Sequence, residues 1–392
     1  MIFRAFALLG VAAAAVTGQT LTLAEAIDAA LASEPSIALA AAESDAAEAA
    51  ADVAESALDP QVEVTGSAVH HDEPMVVRPI HGFEPGAIPP FDRTLLQSAL
   101  TARWLLWDGG ALRGRAREAE ARASAAESEA ASIRQEIIAR TVAAYLEVVS
   151  AAETLAAQDE RLAALDAELE RVRLLLEVGR AADVELYRAE AARAAAEAER
   201  VIASTALDLA EKDLSRLTGL PAARTSAAAL ASVTAPGAAA RAEEVLDGAL
   251  VTSPRVERLR HALAAEQAAL ASARGAKRPS VQAASSLLEY GSAEGDFTFE
   301  WNAGLHFRFN AWDGGAADER VAIASARVRA AEARLAMVER EIAGAIDAAL
   351  AEVARAGARV ESLARAEAGF AEVARVERLR LETGVGTQAE YL

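Results

Sequence analysis

Between residues 297 and 310 the chain alternates. Phe297, Phe299, Trp301, Ala303, Leu305, Phe307 and Phe309 take one set of positions, and Thr298, Glu300, Asn302, His306, Arg308 and Asn310 take the other. A period of two predicts a strand with one greasy, aromatic face and one polar face. Weaker alternation over 61–70, 95–107 and 280–290 predicts three more strands, so that strand pairs occupy about 61–107 and 280–310. Their lengths suit a tilted crossing of a bilayer, which takes about 9 to 11 residues. The same pattern also suits half-buried strands of a soluble sheet.

Elsewhere the period is helical. From Ala111 to Val178 there is no proline and almost no glycine, which predicts a helix of roughly 100 Å. Its far end carries Leu162, Leu165, Leu169, Val172 and Leu176 at alternating spacings of three and four, the seam of a coiled coil. A second long helix, 316–382, carries Val321, Val328, Leu335 and Ile342 seven apart. Shorter helices are predicted at about 36–58 and 255–275, each before a strand pair, and a return helix at about 183–217 follows a tight reversal at Gly179.

These elements form two copies of one design. "WDGGA" at 107–111 returns at 312–316, an offset of 205 residues that also relates Gly179 to Gly384. Upstream, Pro35 and Pro60 answer Pro254 and Pro279 at an offset of 219. The difference lies between Pro60 and Trp107, where the Pro-rich and Gly-rich stretch "HDEPMVVRPIHGFEPGAIPPFDR" reads as a loop insertion. A period near 200 residues is too long for a solenoid and indicates duplication of a whole structural half. The expected division is a leader at 1–19, a first repeat at 20–218, a linker at 219–241 and a second repeat at 242–392. Against the first repeat the second lacks its return helix, since Leu392 is the counterpart of Tyr187; it is expected to be C-terminally incomplete.

Composition narrows the function. The leader has an early Arg, an apolar run and small residues before Gln19, the order of a secretory signal rather than of a buried helix, and it is too short to span a bilayer. The chain has no cysteine, which excludes disulfides, thiol chemistry and lipid attachment through Cys. A formal charge of −20 offers no basic stripe for phosphates, so nucleic acid is not a partner. An export signal with an aromatic strand face favours lipid over a soluble sheet. Edge amides cannot go unsatisfied in hydrocarbon, so the sheet must close. Four strands are too few, because the smallest single-chain barrels have about eight, and several chains must contribute.

The order of signal, "LTLAEAIDAALASEPSI", strand pair, "WDGG", long helix and "VGRAADV" reversal, given twice, resembles the TolC-type outer membrane efflux proteins over essentially the whole chain. The resemblance implies a mainly α fold with a small β part. Duplicated long coiled-coil helical hairpins build a periplasmic α-barrel, and four strands per chain enter a trimeric twelve-stranded transmembrane β-barrel. It implies an outer membrane location in a Gram-negative bacterium and a homotrimer in contact with outer membrane lipid. A periplasmic adaptor protein and an inner-membrane transporter of RND, ABC or MFS type would serve it in efflux or type I secretion. No cofactor is implied, and the duct has no chemistry of its own. A periplasmic adaptor is a poorer match, having one hairpin and soluble β-modules, and a surface adhesin or structural coiled coil would keep its heptads unbroken.

Particular residues acquire expected roles. Trp107 and Trp312 suit a membrane interface, where an indole keeps its ring in the apolar layer and its N–H in the wet one. Asp108 and Asp313 suit helix caps, and Gly109, Gly110, Gly314 and Gly315 the bend; an ordinary Asp-Gly turn beside core tryptophans fits as well. Gly179 and Gly384, with Gly386 and Thr387, mark helix-tip reversals where the family resemblance implies adaptor contact. Glu185 and Glu390, each six residues after its reversal glycine, are the candidates for the acidic periplasmic aperture that the resemblance implies. Thr387 and Glu390 also have capping-box spacing, and Glu185 suits a solvated charge at a helix start. His70, His71, Asp72, Glu73 and His81 crowd together in sequence, but adjacent strand residues point to opposite faces and no metal site is expected. "GVG" at 384–386 follows a helix rather than a strand and is no phosphate loop. No nucleophile, base and orienter converge, so an enzyme is not expected.

Overall fold

The computed structural model describes residues 21–80, 86, 89–221, 242–295 and 297–382. The leader at 1–19, most of the linker, His81, and Gly384, Gly386, Thr387 and Glu390 lie outside the described residues. In chain order the elements are α1 (Leu23–Ser33), α2 (Pro35–Ser56), β1 (Gln61–Val76), β2 (Phe91–Trp107), α3 (Ala111–Glu177), α4 (Asp183–Thr218), α5 (Ala242–Thr252), α6 (Pro254–Gly275), β3 (Ser280–Ser292), β4 (Thr298–Arg308) and α7 (Ala316–Glu382). The fold is mainly helical, with four strands.

Local chemistry sets these boundaries. Thr22 and Glu25 form a reciprocal capping box that starts α1. Pro35 and Pro254 open α2 and α6, where a missing N–H costs nothing, and each ends the short helix before it. α3 closes on a Schellman turn at Gly179, φ +70°: the Arg180 amide donates to the Leu175 carbonyl at 2.7 Å and the Gly179 amide to Leu176 at 3.0 Å. α4 closes at left-handed Gly219. The element bounds repeat as well. α1, α2 and the start of β1 recur 219 residues later in α5, α6 and β3, and both ends of α3 recur 205 residues later in α7.

The chain divides into two compact units. One holds residues 21–38, 133–221, 242–245 and 346–382 and is helical. Its core gathers Leu21, Ala26, Tyr145, Val148, Ala210 and Leu214. The buried Tyr145 hydroxyl donates to the Leu21 carbonyl at 3.1 Å, and the Ser33 hydroxyl reaches the Leu217 carbonyl at 3.2 Å. Along the α3–α4 hairpin, Ala196, Ala203 and Ala210 of α4 are buried at heptad spacing, and Leu169 and Val172 of α3 are buried too. Small residues let helix backbones approach. Charged pairs bridge the hairpin: Arg200 with Asp159, Arg193 with Asp166 at 2.6 Å, and Arg173 with Glu190 at 3.8 Å. In the last pair the basic residue lies on α3 rather than α4, so a one-heptad slip would oppose like charges.

The second unit holds 39–80, 86, 89–132, 246–295 and 297–345. Its sheet is antiparallel in the order β1-β2-β3-β4. The two hairpins share one register under the repeat: Gln61 pairs with Arg103, and its counterpart Ser280 pairs with Arg308. β1 continues past its alternating stretch, through an irregularity between His70 and Met75, to end on the pair Val76 and Phe91.

Candidate functional site

The pairing registers place every strand side chain on one of two faces. One carries Val62 and Val64 of β1, Leu100 and Trp104 of β2, Leu287 of β3, and Phe299, Trp301, Leu305 and Phe307 of β4. All are exposed, Trp301 by 77%. Contiguous apolar exposure of this kind is rare on a soluble monomer and marks a surface that meets lipid or protein. Glu289 shares this face and is satisfied there, accepting from the Ser98 hydroxyl at 2.8 Å. The other face carries Glu63, Thr65, Ser67, Gln97, Thr101, Arg103, Gln282, Ser286, Asn302, His306 and Arg308. Glu63 and Arg103 lie 3.5 Å apart, and the Thr101 and Ser286 hydroxyls 3.3 Å. A sheet greasy on one side and hydrogen-bonding on the other matches a barrel wall between lipid and an aqueous lumen. Among the described residues, no helix is long and apolar enough to cross a membrane.

The "WDGG" peptides sit where strand becomes helix. Gly109 and Gly110 have φ of +70° and +92°, and Gly314 and Gly315 of +72° and +90°, a backbone open to L side chains only with strain. At the first junction the Asp108 carboxylate accepts from the amides of Gly110 at 3.0 Å and Leu112 at 2.6 Å, holding the orphan donors of α3. At the second, Asp313 lies 3.7 Å from Arg320. Trp107 is 48% exposed and Trp312 87%, and the Trp104 indole N–H donates to the Leu58 carbonyl at 3.0 Å.

The surroundings of the two junctions differ. A Cβ on Gly109 would stand 2.5 Å from the Arg278 Cβ and 2.7 Å from the Gly275 carbonyl oxygen. One on Gly114 would stand 2.7 Å from the Ser272 backbone. The start of α3 therefore lies against the end of α6, where the buried Ser272 hydroxyl donates to the Ala111 carbonyl at 2.8 Å and Arg258 pairs with Glu129 at 2.8 Å. Around Gly314 and Gly315 there is open space. Sequence reasoning missed this contact; glycines at 114 and 275, at helix positions where alanine is the commoner choice here, were the available signal.

At the hairpin end Glu185 is exposed in the first turn of α4, after Ala182, which gives no side-chain cap. It belongs to a small charged group. Two hydrogen bonds to Glu168, at 2.7 and 2.5 Å, hold the Arg171 guanidinium above its ordinary pKa against the opposing effect of burial, and the Glu185 charge adds a smaller attraction. Leu174, Val178, Val184 and Tyr187 are exposed around the same turn. The structure thus brings Glu185 and Gly179 together at one hairpin end and sets the Trp-Asp-Gly-Gly junctions at the sheet.

A family described as outer membrane efflux protein matches residues 26–220. In fold the chain is similar to CusC, a protein whose crystal structures bear on folding and transmembrane channel formation, with a TM-score of 0.76 and 19% identity over 97% of this chain and 88% of that one. It is similar to the outer membrane protein VceC of Vibrio cholerae, with a TM-score of 0.75 and 18% identity over 94% and 88%. It is also similar to the CmeC outer membrane channel of Campylobacter jejuni, with a TM-score of 0.72 and 19% identity over 94% and 78%. No protein of curated function matches.

Proposed function

The chain belongs to the outer membrane efflux protein family, and from that membership we propose a passive, trimeric duct that receives its cargo from a periplasmic adaptor and an inner-membrane transporter. Its place is the outer membrane of a Gram-negative bacterium, with the helices in the periplasm. The observation that carries the duct is the sheet: one face suited to lipid, one to water, and two free edges on only four strands. Those edge amides cannot remain unpaired in hydrocarbon, and three copies give twelve strands, enough to enclose an aqueous lumen.

Docking is supported by the hairpin end. Leu174, Val178, Val184 and Tyr187 present apolar side chains around a Gly-turn, a surface that another helical hairpin can cover. Gly179 and, in the second repeat, Gly384, Gly386 and Thr387 are the residues we assign to adaptor contact. Glu185 and its counterpart Glu390, 205 residues on, are the acidic side chains we assign to the aperture. Repeated threefold, they form a ring that favours cations. Trp107 and Trp312 anchor the sheet at the periplasmic lipid boundary.

The test is dye efflux in cells that lack their own duct but retain adaptor and transporter. Expression of the chain restores efflux. Val184→Ser and Tyr187→Ser, which add no charge beside Glu185, abolish it while leaving single-channel conductance in planar bilayers unchanged. Full efflux by both variants would refute docking at this turn, and absence of conductance from the wild-type protein would refute the duct.

A further inference from the structure

The arginines of the polar sheet face are duplicated with the repeat. Arg103 stands four residues before Trp107 and Arg308 four residues before Trp312, an offset of 205. Each takes the matching place in its hairpin, Arg103 opposite Gln61 and Arg308 opposite Ser280. In a chain of formal charge −20, both halves therefore set a guanidinium near the end of the sheet where strand gives way to the "WDGG" bend.

The two arginines line one pocket of about 550 Å³, together with Asp59, Gln61, Gln282 and His306. The strand members of that set share the polar face. Level with Arg103, β3 and β4 carry only Ala284 and Gly304, which leaves the space over β3 to the long side chains. The balance of charge in the pocket is positive: of the described residues that line it, Asp59 alone is acidic. Glu63 lies 3.5 Å from Arg103, but both side chains are more than half exposed, and an ion pair in water holds a guanidinium only weakly. The Gln61 amide is already committed, donating to the Ser56 carbonyl at 2.9 Å.

We propose that this pocket binds soluble oxyanions, the carboxylate or phosphate groups of solutes that cross the lumen. A planar guanidinium presents forked N–H donors that match such groups bidentately, and the Gln282 amide and the His306 ring add further donors. A spherical halide has no second oxygen for the fork, so the site separates oxyanions from chloride by geometry as well as by charge. Lipid headgroups are not the source, because the pocket lies on the polar face and not on the apolar one. The proposal rests on the duct reading for its access from the lumen and on the pocket alone for its chemistry. Set around a lumen in each copy, the arginines form a basic ring of the kind that favours anions.

Citrate tests the site. Isothermal titration of citrate into the detergent-extracted protein, in chloride at fixed ionic strength, is expected to show saturable binding with which inorganic phosphate competes. R103Q and R308Q should each weaken it about tenfold, the loss of one charge-assisted fork. R308K keeps the charge without the fork and should fall between. R93Q removes the same charge from the same face of β2, towards its other end, and should leave binding unchanged. In planar bilayers citrate is expected to lower the single-channel current with the same ranking of variants. Equal weakening by R93Q reduces the effect to general charge and overturns the site, as do undiminished binding by R103Q and R308Q or a wild-type protein that conducts but binds no citrate. Citrate binding by a protein that does not conduct overturns the duct and leaves the site standing; neither binding nor conductance overturns both.

Discussion

Gly114→Ala and Gly357→Ala are the same substitution in two long helices and should act with opposite sign. Alanine is favoured over glycine inside a helix by about 1 kcal/mol. At Gly114 the new methyl would lie 2.7 Å from the Cα, Cβ and N of Ser272, against 3.4–4 Å for ordinary contact. Two of those atoms are backbone, so α3 and α6 must part by roughly 1 Å. Overpacking of this kind costs about 1–3 kcal/mol. Parting also stretches the buried Ser272 to Ala111 hydrogen bond, now 2.8 Å, worth about 0.5–1.5 kcal/mol. The steric terms outweigh the propensity, for a net loss of about 2 kcal/mol. At Gly357 the space is open, and Ala152 stands at the equivalent place in α3, so alanine should stabilise by about 1 kcal/mol. Guanidinium unfolding in detergent, followed by helical circular dichroism, reads both. A midpoint for Gly114→Ala at or above wild type would refute the close α3–α6 contact.

The two sheet faces should answer differently to charge. Trp301→Lys on the apolar face is expected to cost about 2–4 kcal/mol of insertion stability, and Asn302→Lys beside it almost nothing, by urea refolding into vesicles; equal costs would contradict the face assignment. In the hairpin, Asp159→Arg should lose no more than about 1 kcal/mol, because both partners are nearly half exposed, and Arg200→Asp in the same chain should recover it; a double-mutant cycle with no coupling would remove this pair from the hairpin register. Tyr145→Phe leaves the buried Leu21 carbonyl without its donor and should cost about 1–3 kcal/mol in the same unfolding assay. Burial, and then the charge of Glu25, push the Tyr145 pKa up. Its contribution is therefore complete below the ordinary tyrosine pKa of about 10 and lost as pH rises through the folded value. The wild type should lose stability on alkalinisation and the Phe variant should be less sensitive; identical alkaline profiles would count against a buried Tyr145.

Much of this fold can be read from periodicity. The alternation of Phe297 to Phe309 marks β4 and its apolar face without any tertiary information, since every second residue is apolar. The strand ends are harder to read. β1 runs on to Val76 through Asp72, Glu73 and Pro74, residues that break the alternation and lie in the irregularity between the pairs His70–Thr94 and Met75–Asp92. The "WDGG" repeat is visible as letters, and its bend follows from glycine chemistry. That Gly109 is crowded and Gly314 open depends on which helix lies beside each, a tertiary fact that no local pattern carries. The Asp159, Asp166 and Arg173 pairs are equally hidden, because partners 41, 27 and 17 residues away are specified only once the turn at Gly179 fixes the hairpin register.

Native mass spectrometry of the protein extracted in detergent from outer membranes tests the duct most directly. Two free edges and one apolar face predict a closed oligomer that retains bound lipid, and the proposed function makes it a trimer. A monomer free of lipid would contradict it, because a four-stranded sheet cannot close on itself in a bilayer.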